Sequence, residues 1–187
     1  MTMQEPQLYM ILLGATPKGR NIEQHDIFFG IGTSIKELLP EMQAFWPEAK
    51  GKIHVDAYRV VKKVGDFKVE VIDRGEGETE LRSLFFMNLG GYKKDEFEEL
   101  HYKVLVVANQ KAAAIQEAKK TAFYKHVGFK GATSHIDDKF GVDVDDIFEI
   151  KDILSATTRE KFALRYTPAE DLPEDEIFLG YLPLSKI

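Results

Sequence analysis

The sequence predicts an α+β fold made of two tandem β-β-α-β repeats, with extra strands, related by a pseudo-twofold axis. Three observations carry that prediction. The stretch LYMILLGATPKGRNIEQHDIFFGIG from Leu8 lies without a gap over LFFMNLGGYKKDEFEELHYKVLVVA from Leu84, at a constant offset of 76 (84 − 8). Leu8, Leu13, Gly14, Lys18, Glu23 and His25 fall on Leu84, Leu89, Gly90, Lys94, Glu99 and His101. Each copy also shows the same succession: an apolar run, a turn, a second apolar run, and then a helical period.

The first strand is the unbroken apolar run Tyr9 to Leu13, closed by Gly14, which suits a strand buried on both faces. Thr16-Pro17-Lys18-Gly19 turns the chain. Ile27, Phe28, Phe29 and Ile31 form the second strand, matched by Val104 to Val107. Ser34 and Glu37 have the spacing of a capping box, and Ile35, Leu38, Leu39, Met42, Phe45 and Trp46 then recur at helical steps. In the second copy the cap is assigned to Asn109 and the helix runs to about Lys125, with Ala114, Ile115, Ala118 and Ala122 on its face.

A third strand is expected over Ile53 to Val61, and in the second copy between His135 and Ile150. Phe67, Val69 and Val71 alternate with polar residues as a half-solvated fourth strand, resembled by Phe162, Leu164 and Tyr166. Arg74 to Thr79 reads as the connector between copies. The boundaries follow as 7–80 for the first repeat and 83–187 for the second with a C-terminal extension, the two packed as one compact unit. Phe178 to Leu184 reads as a last strand closing the second sheet, as Leu84 to Leu89 closes the first.

The chain has 187 residues, a net charge of −6 and no cysteine. The negative charge argues against nucleic acid as a partner, because phosphate binding rests on clustered Lys and Arg. Without cysteine there are no disulfides, thiolate nucleophiles or Cys-ligated metals. Met1 to Gln7 holds no basic residue, and Leu8 to Leu13 is too short for a signal segment or a membrane span. A cytoplasmic location away from membranes is the expectation.

The feature that bears on chemistry is a recurring pair of pairs: Glu23/His25 with His54/Asp56, and Glu99/His101 with His135/Asp137. Spacing of two puts each pair on one face of a strand. The second match runs at an offset of 81 (135 − 54) and leaves only His126 outside the repeat. Two imidazoles and two carboxylates could bind zinc, manganese or iron, or supply a general acid and base. The same spacing also serves to keep a partly buried imidazole hydrogen-bonded.

Other signals are incomplete. Gly14 to Gly19 has the glycine spacing of a phosphate loop, but Arg20 and Asn21 stand where Lys and Ser/Thr belong. There is no nucleophile elbow, dinucleotide loop or H-E-x-x-H. Asp137 to Glu149 is acidic without calcium-loop spacing, while Lys50, Lys52, Arg59, Lys62, Lys63 and Lys68 make the related first-copy stretch basic. Solvated surface patches are the default reading of such opposed charges; the alternative is that they align the copies or join two chains head to tail as a homodimer.

Asn21-x-Glu23-x-His25-Asp26, the preceding Leu13-Gly14, and His135-Ile136-Asp137-Asp138 are similar to the motifs of a bacterial family catalogued as domain of unknown function 1543. The resemblance spans roughly residues 7 to 150 and implies one or two copies of the domain. The second copy departs from the pattern with Phe97 and Tyr102 where Asn21 and Asp26 stand, and the first has Ala57 where Asp138 stands. The resemblance implies no activity, substrate or catalytic residue. Two readings stay open: a binding or interaction module that is not an enzyme, and a metal-dependent enzyme using the repeated Glu-x-His and His-x-Asp pairs. The first leads because no complete catalytic signature is present, and no cofactor other than a divalent metal is suggested.

Overall fold

A computed structural model describes residues 5–76, 81–92, 95, 97–118, 120 and 144–187. The chain is α+β, and among the described residues its strands form three antiparallel sheets. They divide between two units, Met1–Glu78 with Leu154–Ile187 in one and Thr79–Ile153 in the other.

The first unit opens with β1 (Gln7–Ala15) and β2 (Gln24–Gly32), paired from Gln7↔Gly32 to Ala15↔Gln24. Both strands run past their apolar stretches, so β2 carries His25. The hairpin loop is set by Pro17: the Arg20 N–H donates to its carbonyl at 3.2 Å, and Gly19 takes φ +86°, where a Cβ would be strained.

The predicted single helix is broken into a 3-10 turn over Ile35–Leu38, α1 (Leu39–Phe45), and another 3-10 turn over Pro47–Ala49. Pro40 explains the first break, because it has no N–H to give the preceding turn and sits at the start of α1, where none is needed. The capping box is also altered. Glu37 accepts from the N–H and hydroxyl of Thr33, at 2.7 and 2.9 Å, while Ser34 caps nothing with its side chain. The two bonds from Thr33 are the chief reason the Glu37 carboxyl titrates below its ordinary value.

One sheet face and the helix make the core: Tyr9, Ile11 and Leu13 of β1, Phe28 of β2, and Leu38 and Met42 from the helical segment. Ile11 and Met42 are fully buried, and burying a side chain of that size contributes about 1.5–3 kcal/mol. β3 (His54–Val60) joins the other edge of β1, with a bulge between Leu12/Leu13. β4 (Lys63–Val64) and β5 (Phe67–Asp73) form a hairpin of the second sheet.

The second unit contains β6 (Ser83–Tyr92), β7 (Glu99–Ala108), α2 (Lys111–Ala118), β8 (Val144–Glu149) and the short α3 (Ile150–Ile153). The β6/β7 register, from Ser83↔Ala108 to Tyr92↔Glu99, is that of β1/β2 displaced by 76. A bulge again interrupts the third strand, between Asn88/Leu89, the positions 76 beyond Leu12/Leu13. Phe85, Met87 and Leu89 of β6 pack with Ala114 and Ala118 of α2.

Two sequence expectations need correction. β6 does not close the first sheet; it pairs with β7 and β8. Nor does the C-terminal segment close the second. After α4 (Ala156–Lys161), whose start is capped by Ser155 accepting from the Thr158 N–H at 3.1 Å, β9 (Phe162–Pro168) pairs with β5. β10 (Phe178–Pro183) then pairs with β3, giving a first sheet of order β10-β3-β1-β2. Residues 154–187, assigned by sequence to the second repeat, therefore pack with the first unit. Their apolar spacing is that of any strand, and only long-range pairing decides which edge receives them.

Part of the basic stretch is engaged within the first unit, while Lys50, Lys52 and Lys62 are exposed. Lys63 pairs with Glu174 at 2.5 Å and Lys68 with Glu70 at 2.7 Å. Arg59 is half-buried, and that burial lowers its pKa. Asp137, Asp138 and Asp143 of the acidic counterpart lie outside the described residues. No helix among the described residues is long and apolar enough to cross a membrane.

Candidate functional site

Where β1 ends, its pairing puts Gly14 opposite His25 on one side and opposite His54 on the other. Directly opposed residues share a face, so the two histidines flank Gly14 in one row, on strands separated by about 10 Å across β1. The His54 imidazole leans over the glycine. A Cβ at position 14 would collide with Nε2 of His54 and Oδ2 of Asp56, so the absence of a side chain there creates the space in which they meet.

The carboxylates come from each side of that row. Glu23 lies two residues before His25, on the same face. Asp56 occupies the bulge of β3, between Val55 opposite Leu13 and Ala57 opposite Leu12. A bulge re-aims a side chain that regular pairing would send elsewhere. Here it brings Asp56 beside His54.

The four groups converge. His25 Nε2 stands 3.5 Å from Glu23 Oε2 and 3.3 Å from Asp56 Oδ2. His54 Nε2 stands 3.0 Å from Glu23 Oε1 and 3.3 Å from Asp56 Oδ1. Each carboxylate thus turns one oxygen to each imidazole. Glu23, His25 and Asp56 offer ligand atoms that all lie within 4.8 Å of one another. Exposure grades across the cluster, with the His54 side chain 8% accessible, Asp56 24%, and Glu23 and His25 above 40%. One wall is therefore buried and the other faces water.

Hydrogen bonding leaves this cluster unresolved. His54 Nε2 and Asp56 Oδ2 are buried without a hydrogen-bond partner. Each Nε2 carries at most one proton, so two donors at most face four carboxylate oxygens. Two carboxylates sharing one partly buried space also repel each other. A cation bound among them would answer both problems. Glu23, His25 and Asp56 are the set whose donor atoms lie close enough together for one ion, and His54 borders that set, its Nε2 3.0 Å from Glu23 Oε1 and 3.3 Å from Asp56 Oδ1.

Tyr181 of β10, which the sequence did not point to, completes the surroundings. Its ring lies on the His54 imidazole, centroids 4.4 Å apart. Its strand is held by Tyr58 stacking on Phe178 at 4.7 Å, and by Leu182 and Leu184 packing into the core.

In the second unit Glu99 and His101 recur on β7, with His101 Nε2 3.8 Å from Glu99 Oε2. The third-strand correspondence read from the sequence does not follow the ladder. Leu89 stands opposite Val144 as Leu13 stands opposite Val55, so the offset there is 89 (144 − 55), not 81. By register Asp145 takes the place of Asp56. His126, His135, Asp137 and Asp138 lie outside the described residues.

A family model described as Domain of Unknown Function (DUF1543) matches residues 20–71, a stretch that contains Glu23, His25, His54 and Asp56 and supports the resemblance read from the motifs. No curated protein matches the chain. Among solved structures, the crystal structure of a protein Il1583 from Idiomarina loihiensis is similar, with a TM-score of 0.64 and 22% identity over 96% of this chain and 99% of that one. The likeness shows the fold.

Proposed function

We propose that this protein binds a divalent transition metal, zinc, manganese or iron, through Glu23, His25, His54 and Asp56. The observation that carries the reading is the buried His54 Nε2, aimed at two carboxylates and bonded to neither. Imidazole and carboxylate donors suit these metals, and two carboxylates balance a divalent charge. The exposed His25 and Glu23 leave one side of the ion open to a further ligand, which is how metal sites that act on small molecules differ from closed structural ones.

The repeat belongs to the same proposal: the two units are read as tandem copies of one β-β-α-β unit. The shared register at an offset of 76 and the shared bulge support it. Of the two copies, the first is the one that binds metal.

Isothermal titration of dialysed, untagged protein with Zn²⁺ and with Mn²⁺ tests the metal reading. Saturable binding that disappears in His25→Ala/His54→Ala, with the fold retained by circular dichroism, is the expected result. Absence of binding by the wild type, or identical binding by the double variant, overturns it.

A further inference from the structure

Two irregularities coincide at the site. On β3, Asp56 is the bulge toward β1. On β10, the register shifts between Leu179, opposite Ala57, and Leu182, opposite Val55, so that Gly180 and Tyr181 lie outside the ladder beside Asp56. Gly180 has φ +134°, a backbone state reserved for glycine. That irregularity places the Tyr181 ring against His54 while leaving the residue 68% exposed. Among the described residues its hydroxyl has no hydrogen-bond partner. Strand pairing does not need such an arrangement, because a regular β10 would satisfy more of its own backbone.

The loop that delivers Glu23 carries Lys18 and Arg20, both exposed and without an ion pair among the described residues. A divalent ion would cancel the charges of Glu23 and Asp56, and the two loop cations would then leave the site positive.

We propose that the metal-loaded site binds a small oxyanion, a carboxylate or a phosphate group, held between the ion and the Tyr181 hydroxyl and attracted by Lys18 and Arg20. This rests on the metal reading above. Tyr181 is a ligand-contacting residue in this account, and the loop cations act on the charge of the ligand, not on its shape.

The test uses full-length protein loaded with Co²⁺, whose visible band reports its coordination, titrated separately with acetate and with inorganic phosphate. Saturable change with either anion is expected, and the one that binds identifies the group. Tyr181→Phe keeps the ring on His54 and removes only the hydroxyl, so it should weaken anion binding by about 10- to 150-fold, the value of one hydrogen bond to a charged acceptor, with cobalt affinity unchanged. Lys18→Ala/Arg20→Ala should weaken it about threefold or more and flatten its dependence on salt. A cobalt band that neither anion alters, or anion affinity unchanged in either variant, overturns the proposal. A protein that gives no cobalt band overturns the metal reading, and this proposal with it.

Discussion

The ladder β1-β2-β3 and the ladder β6-β7-β8 share their register and their bulge, yet they present different chemistry at the same place. In the first, Gly14 separates His25 from His54, Asp56 fills the bulge, and the row beneath is the apolar pair Leu12 and Ile27. In the second, His101 and Glu99 remain, Asp145 holds the bulge position, and the row beneath is Asn88 and Lys103. Lys103 is partly buried, which lowers its pKa, and its Nζ donates to the His101 carbonyl at 3.2 Å. A lysine ammonium thus sits beside the second Glu-x-His pair, where the first ladder has only hydrocarbon. Backbone pairing is shared by the two ladders, while the side chains described beside it differ. The first sheet also has a fourth strand, β10, while among the described residues the sheet of the second unit stops at three.

The comparison breaks most visibly at the histidines. His54→Ala should weaken metal binding by more than about 100-fold, beyond the usual cost of losing a residue that merely supports a ligand, whereas His101→Ala should leave affinity unchanged; calorimetric titration of both variants checks this. Equal losses would mean that both units contribute. Gly14→Ala should cost about tenfold or more, because the methyl would intrude on His54 and Asp56. The same titration reads it, with circular dichroism to confirm that β1 still forms.

A smaller effect concerns the strand that only the first sheet has. Asp175, just before β10, accepts from the N–H groups of Lys62 and Lys63 at 3.1 and 3.2 Å, while its Oδ2 is buried and unpartnered. Burial, the largest influence, raises its pKa. The folded chain therefore keeps this proton to a higher pH than the unfolded chain does. The stability contributed by the group is greatest in acid and declines as pH rises from the ordinary aspartate value through the raised one. Asp175→Asn keeps an acceptor for the two N–H groups and should flatten that decline in urea melts run across pH 3 to 7. An unchanged slope would assign the pH dependence to other carboxylates.

Much of this architecture is legible in the sequence where the signal is local. The apolar runs mark β1, β2, β6 and β7, and spacing of two groups Glu23 with His25; Asp56 meets His54 through a bulge that the spacing does not show. The third-strand correspondence misleads because a matching His-x-Asp string outweighs register, and a bulge can be located only from its partner strand. Pro40 announced the helix break, but the apolar period on both sides masks it. The destinations of β9 and β10, and with them the position of Tyr181, depend on pairing between segments about a hundred residues apart, for which a strand's own residues carry no code. Gly14 was visible as punctuation at a strand end; its role as the gap between two histidines needed the ladder.

Elemental analysis of purified, metal-loaded protein after exhaustive dialysis tests the central claim most directly, comparing wild type with His54→Ala and His101→Ala. One metal ion per chain, lost in His54→Ala and kept in His101→Ala, is the result this account predicts. No bound metal, two ions per chain, or one that disappears only with His101 would contradict it.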